Sequence, residues 1–152
     1  MTALAVFINT FGYVGYFPFA RGTVGAAVGL GVWLLLQRAD WTYGEEGAIL
    51  VLFALGVWSG SATEKHFART DPGQGVMDEV VGMLITLYAL PVGWMGVLVG
   101  FVLFRIADII KPYPAARCEY LPGGLGMMAD DAVAAIYSHL ALRALWTAGV
   151  VG

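Results

Sequence analysis

Charge is scarce in this 152-residue chain. Its 8 Lys and Arg and 11 Asp and Glu make up 12% of the residues, against about 25% in an ordinary soluble domain. Cysteine is nearly absent: the lone Cys118 excludes an internal disulfide framework and a multi-cysteine metal site. His66 and His139 lie far apart in sequence and offer little to a soft-metal centre. A net charge of −3 leaves no basic footprint for nucleic acid. Low hydrophobicity combined with high net charge, the signature of disorder, is missing too. What the chain has in abundance is apolar surface, with 59% hydrophobic residues and a mean hydropathy of +0.76. A water-soluble globule of this size could not bury so much. The expectation is one all-α domain over residues 1–152, a compact multi-pass transmembrane bundle.

Five apolar stretches support that reading. The stretch from Val80 to Phe104 decides the topology, because its 25 residues carry no charge. As one straight helix it would run about 37 Å and put Glu79 and Arg105 on opposite sides of a bilayer. Pro91, Val92 and Gly93 near its middle supply a turn instead. Spans are therefore expected at 23–38, 47–63, 76–90, 93–110 and 130–149. Residues 1–20 fit an interfacial segment or one that dips in and returns. Lys65, Arg69, Arg105, Lys111 and Arg117, with Arg21, fall on one side, which the positive-inside rule makes cytoplasmic. The pairs Gly25/Gly29, Gly56/Gly60 and Gly96/Gly100 suit close helix packing.

The few charges crowd one end. Asp71, Asp78, Glu79, Arg105, Asp108, Lys111, Asp130 and Asp131 all fall at or near predicted cytoplasmic helix ends. Gathering that many carboxylates creates repulsion, which a divalent cation and the nearby Arg105, Lys111 and Arg21 can offset. Mg²⁺ suits the inventory, being a hard ion that takes carboxylate oxygens and commonly shares a phosphate. Arg105 and Asp108 are three apart and share a helix face, which a plain ion pair would also explain. Asp78 and Glu79 diverge by about 100° around a regular helix, so both do not face one point ideally. Gly123-Gly124-Leu125-Gly126 reads as a glycine-rich cytoplasmic loop able to bring N–H groups to a phosphate. Asp130 or Asp131 behind it suits an N-cap. Asp71-Pro72-Gly73 suits a turn, and His139 suits a hydrogen-bonded helix residue.

Several phosphatase chemistries lack their residues. A cysteine phosphatase needs Arg six positions after its Cys, where this chain has Gly124. Histidine-nucleophile lipid phosphatases need Ser-Gly-His, and aspartyl-phosphate enzymes Asp-x-Asp; neither occurs. Metal-assisted attack of water on a phosphate uses the residues present.

Taken together, Gly22-Thr23-Val24-Gly25, Asp71 with Val76-Met77-Asp78-Glu79-Val80-Val81-Gly82, Phe104-Arg105-Ile106-Ala107-Asp108, Lys111-Pro112-Tyr113-Pro114 and Gly123 through Asp131 follow a known order. The chain resembles the phosphatidylglycerophosphatase A family from about Leu4 to Ala148. Arg21 and Ala26 replace the proline and serine usual in the family's first motif. The resemblance implies Mg²⁺-dependent hydrolysis of phosphatidylglycerophosphate to phosphatidylglycerol and inorganic phosphate. It places the enzyme in the bacterial cytoplasmic (inner) membrane, with the active site on the cytoplasmic side. Under it, Glu79, Asp130 and Asp131 are expected as metal ligands, followed by Asp78 and Asp108. Asp78, Glu79, Lys111 and Asp131 form the expected catalytic set. Arg21, Thr23, Arg105 and Lys111 are expected on the substrate phosphate, and Asp71 as a supporting residue or base. The implied partners are the lipid substrate and the bilayer, with homo-oligomerisation left open and no nucleic acid. The alternative is a small ion or solute carrier, which would spread its charges along the span interiors.

Overall fold

The computed structural model describes residues 2–67 and 73–151. The expectations for Arg69 and Asp71, and for the side chain of His66, fall outside the described residues. Among those described, the chain is helical and contains no strand. Its elements are α1 (Thr2–Asn9), a 3-10 turn (Val14–Tyr16), α2 (Arg21–Ala39), α3 (Gly44–Phe67), α4 (Met77–Leu87), α5 (Trp94–Ile110), α6 (Ala115–Cys118) and α7 (Gly124–Thr147).

The break expected near Pro91 is present between α4 and α5. The two helices form an antiparallel hairpin, since Gly82 faces Phe104 while Gly100 faces Leu87. α2 runs parallel to α4, with Gly25 against Val76 and Glu79 and Gly29 against Val80 and Met83. A Cβ at Gly29 would lie 2.7 Å from the Val80 carbonyl oxygen, a backbone atom that cannot yield. Only glycine permits that approach. α3 crosses α7 in the opposite sense, with Gly56 on Met128 and Gly60 on Gly124. Gly96 instead faces Val92, in the turn just before its own helix.

α4 is the central element, with eight of its 11 residues buried. Around it, Trp33, Met83, Leu84, Leu87, Val97, Phe104 and Leu142 form the main core. The outer faces are apolar as well: Leu35, Leu50, Leu98, Val102, Ile109 and Leu140 are all exposed. Exposed aromatics gather at both ends, Trp41, Tyr43 and Trp94 at one and Tyr16, Phe17, Phe19, Tyr113 and Tyr120 at the other.

Among the described residues, two helices, Arg21–Ala39 and Gly44–Lys65, are long and apolar enough to cross a membrane. The helix expected over 76–90 is shorter. α4 has 11 residues, about 16 Å against a hydrocarbon core of about 30 Å. α1, at eight residues, is also too short to cross; it packs on α3 through Asn9, whose side-chain amide donates to Thr63 Oγ1 at 3.1 Å.

The last helix corrects the expectation of a glycine-rich loop. α7 begins at Gly124, so Gly124-Leu125-Gly126 form its first turn, and Asp130 and Asp131 lie in its second turn rather than at its cap. The reason is steric. A Cβ on Gly124 would lie 2.4 Å from the Val57 carbonyl oxygen, and one on Gly126 2.5 Å from that of Leu121. The glycines let α7 start pressed against α3 and the chain before it, and this contact offsets their poor helix propensity.

Candidate active site

The parallel and antiparallel pairings bring the starts of α2, α4 and α7 to the same end as the finishes of α3 and α5. α4 is held there by the distant end of α1: the Val76 N–H donates to the Asn9 carbonyl at 3.0 Å. Its first turn carries Asp78 and Glu79, where the helix dipole favours negative charge. α7 is anchored by its Gly124 N–H, which donates to Ser61 Oγ at 2.9 Å. That anchor fixes the azimuth of Asp130 and Asp131 two turns on.

Asp78, Glu79 and Asp131 converge. One carboxylate oxygen from each lies within 4.8 Å of the other two. The expected divergence of Asp78 and Glu79 does not separate them, because Asp131 enters from a second helix and Glu79 has an extra methylene with which to turn inward. Asp131 is 3% exposed. Glu79 Oε2 and Asp131 Oδ2 are buried without a hydrogen-bond partner among the described residues. Asp108 adjoins Asp131 and is paired with Arg105 along α5.

The Arg105 guanidinium lies across from Glu79, and Gly22 packs onto both. A Cβ on Gly22 would lie 2.7 Å from Glu79 Oε1 and 2.7 Å from Arg105 Nη1. This explains the first glycine of Gly22-Thr23-Val24-Gly25 as a contact requirement. Thr23 itself is exposed. Arg21 is exposed too and donates to the Gly73 carbonyl at 2.9 Å, outside the carboxylate group.

Lys111 closes the α5 end with a left-handed backbone, φ 48°. Its ammonium pairs with Asp130 and Glu119. Burial alone would push the Lys111 ammonium down from its ordinary value. Hydrogen bonds and opposite charges from Asp130 and Glu119 outweigh that, and the net shift is upward. Asp130, 4% exposed, also accepts the Asp131 N–H at 2.8 Å. It thus lies between Lys111 and Asp131, apart from the three carboxylates that share a centre.

Asp78, Glu79, Asp108, Lys111, Asp130 and Asp131 line a cavity of about 450 Å³, together with Glu64, Glu119, Tyr120 and Met127; Arg21, Thr23 and Arg105 do not. Glu64, Glu119 and Tyr120 were not signalled by any motif. They arrive there because α3 ends and the 119–123 segment folds beside the first turn of α7. His139 donates from Nδ1 to the Thr86 carbonyl, 3.3 Å away, as expected of a structural histidine. The residues that could hold a cation are hard oxygen donors with two orphaned buried oxygens, a set that fits Mg²⁺ in kind.

A model of the family described as phosphatidylglycerophosphatase A matches residues 7–146. The chain belongs to the phosphatidylglycerophosphatase A family. As a member it is a phosphatase acting on phosphoric monoesters. It is 36% identical over 126 residues to phosphatidylglycerophosphatase A of Escherichia coli, covering 82% of this chain and 73% of that protein. Against the Haemophilus influenzae protein of the same name, identity is 40% over 95 residues, 61% of this chain and 58% of that one. A Bacteroides thetaiotaomicron protein, provisionally named a phosphatidylinositol-3-phosphatase, is 36% identical over 157 residues, 96% of both chains. No solved structure matches. Asp78, Glu79 and Asp131, which meet in the cavity, all lie within the matched residues. The cavity carboxylates lie toward one end of the bundle, and Glu45 and Glu46 open α3 at the other.

Proposed function

We propose that this chain removes the terminal phosphate of phosphatidylglycerophosphate with Mg²⁺, as a multi-pass protein of the bacterial inner membrane whose cavity faces the cytoplasm. The observation that carries the reading is the convergence of Asp78, Glu79 and Asp131, from two separate helices, beside a fixed ammonium in one cavity. Family membership supplies the reaction class. The apolar outer faces, the aromatics at both ends and the two long apolar helices support a membrane setting.

In this reading Asp78, Glu79 and Asp131 hold the metal, with Asp108 steadied next to them by Arg105. Bound Mg²⁺ would polarise a phosphoryl oxygen and lower the pKa of water. Lys111, anchored by Asp130, presents its ammonium to the non-bridging phosphate oxygens and takes up charge as the leaving oxygen departs. Asp130, expected from sequence among the metal ligands, acts here by fixing Lys111. Arg105, expected on the phosphate, pairs with Asp108 and balances the carboxylates from behind. Arg21 and Thr23, exposed at the start of α2, are assigned to headgroup contacts outside the cavity. A lipid substrate suits this layout, because its acyl chains stay in the bilayer while its phosphate enters from the interface.

Phosphate release is measured in detergent from phosphatidylglycerophosphate and, in parallel, from phosphatidylinositol 3-phosphate. Release from the former should stop on chelation and return with added Mg²⁺. Turnover that persists in chelator overturns the metal assignment. An equal or higher kcat/KM on the inositol lipid overturns the substrate assignment. For sidedness, Tyr43→Cys and Ala116→Cys in a Cys118→Ser background should label from opposite faces of sealed vesicles.

A further inference from the structure

We propose that Glu119 guards Lys111, holding the place of the substrate phosphate and excluding phosphodiester headgroups. The proposal rests on the reading of Lys111 as the phosphate-binding cation. An ammonium has three N–H donors. Two are engaged, and their acceptors differ in kind. The Asp130 side chain is 5% exposed and also accepts the Asp131 N–H, so it is a fixed counter-ion. The Glu119 side chain is 50% exposed, stands just after the one-turn α6, and has no second hydrogen-bond partner among the described residues. It is the displaceable one. Both line the same cavity as the three carboxylates.

The consequence is selectivity by charge. A phosphomonoester carries about −1.5 to −2 at neutral pH; a phosphodiester carries −1, no more than the carboxylate it would replace. A monoester therefore gains on exchanging with Glu119, and a diester does not. A lipid enzyme needs such a filter, because the surface it works on is crowded with diester headgroups, its own product among them. Exposed ion pairs of this type are weak, worth no more than about fivefold in an equilibrium, so the guard yields readily to the right ligand.

The test uses the full chain in mixed micelles with Mg²⁺, phosphatidylglycerophosphate as substrate and phosphatidylglycerol as competitor. Glu119→Gln should lower KM about two- to fivefold, keep kcat within about twofold, and tighten inhibition by phosphatidylglycerol by at least the same factor. Glu119→Asp, which keeps the charge, should restore resistance to phosphatidylglycerol. A fall in kcat with KM unchanged or raised would assign Glu119 to the reacting groups and overturn the proposal. So would a variant in which none of the three parameters moves. Lys111→Met separates the two levels: if it leaves KM unchanged, the assignment of Lys111 itself fails. If it raises KM while Glu119→Gln changes nothing, the guard alone fails.

Discussion

The two ends of this bundle use the same scarce residue types to opposite effect. At the end away from the cavity, Glu45 and Glu46 open α3 and are satisfied by neutral donors. Glu45 accepts from the Ala89 N–H at 2.9 Å and from Gln37, and Glu46 accepts from the Tyr88 hydroxyl at 2.8 Å. These carboxylates tie the α4–α5 turn to the start of α3. At the cavity end, carboxylates from α4 and α7 face one another, and Glu79 and Asp131 keep buried oxygens without partners among the described residues. A buried unsatisfied acceptor costs about 1–3 kcal/mol, more when charged. One end spends its acids on closing the fold; the other leaves them incomplete, as a binding site must.

That contrast predicts opposite mutational signatures. Glu79→Gln and Asp131→Asn should each cut kcat at least about tenfold, a barrier increase of about 1.4 kcal/mol. In chelator the same variants should melt higher than the parent, because removing one charge relieves the crowding. Thermal melts with and without Mg²⁺ check this. Variants that lose activity and also melt lower in chelator would make these acids structural, like those at the other end.

A packing change should damage both properties. In Gly29→Ala the new methyl meets the Val80 carbonyl oxygen, so α2 and α4 must separate; overpacking of this kind costs about 1–3 kcal/mol. Since α4 carries Asp78 and Glu79, the displacement should also raise the Mg²⁺ concentration needed for half-maximal activity. A variant that melts lower with unchanged Mg²⁺ dependence would uncouple the helix contact from the site. Glu45→Gln is the milder counterpart at the other end. Weakening the bond to the Ala89 N–H should cost about 1 kcal/mol, a drop of about 2–4 °C in melting midpoint, with kcat unchanged.

Much of this arrangement was legible from sequence, for identifiable reasons. The α4–α5 break was readable because Pro91 and Gly93 interrupt an uncharged run. The cavity end was readable because charge is rare here, and the motifs bearing Asp78, Glu79 and Asp131 stand out against an apolar background. The start of α7 was not. Three glycines in four residues read as a loop until a neighbouring backbone is known to lie against them, and that neighbour, Val57 to Ser61, is over sixty residues away in sequence. Nor were Glu64 and Glu119 readable as cavity residues, since no spacing rule links them to Lys111. The different partners of Asp130 and Asp131 were hidden for a similar reason. Adjacent acids at a presumed helix start look equivalent, and only their depth in the second turn, with Lys111 on one side, sends them to different partners.

Lys111 offers the smallest predicted effect and a check on the contrast from its cationic side. Its two carboxylate partners raise its pKa above the ordinary 10.5 despite burial. A raised folded-state value means that its contribution to stability is fully present below the unfolded pKa and is lost only as pH climbs through the higher folded one. The melting difference between the parent and Lys111→Met should therefore stay flat from neutral pH to well above pH 9 and shrink only in strong alkali. A difference that already shrinks between pH 7 and 9 would mean that Lys111 is not held by Asp130 and Glu119 together. The fixed counter-ion, and with it the displaceable one, would then have to be sought elsewhere.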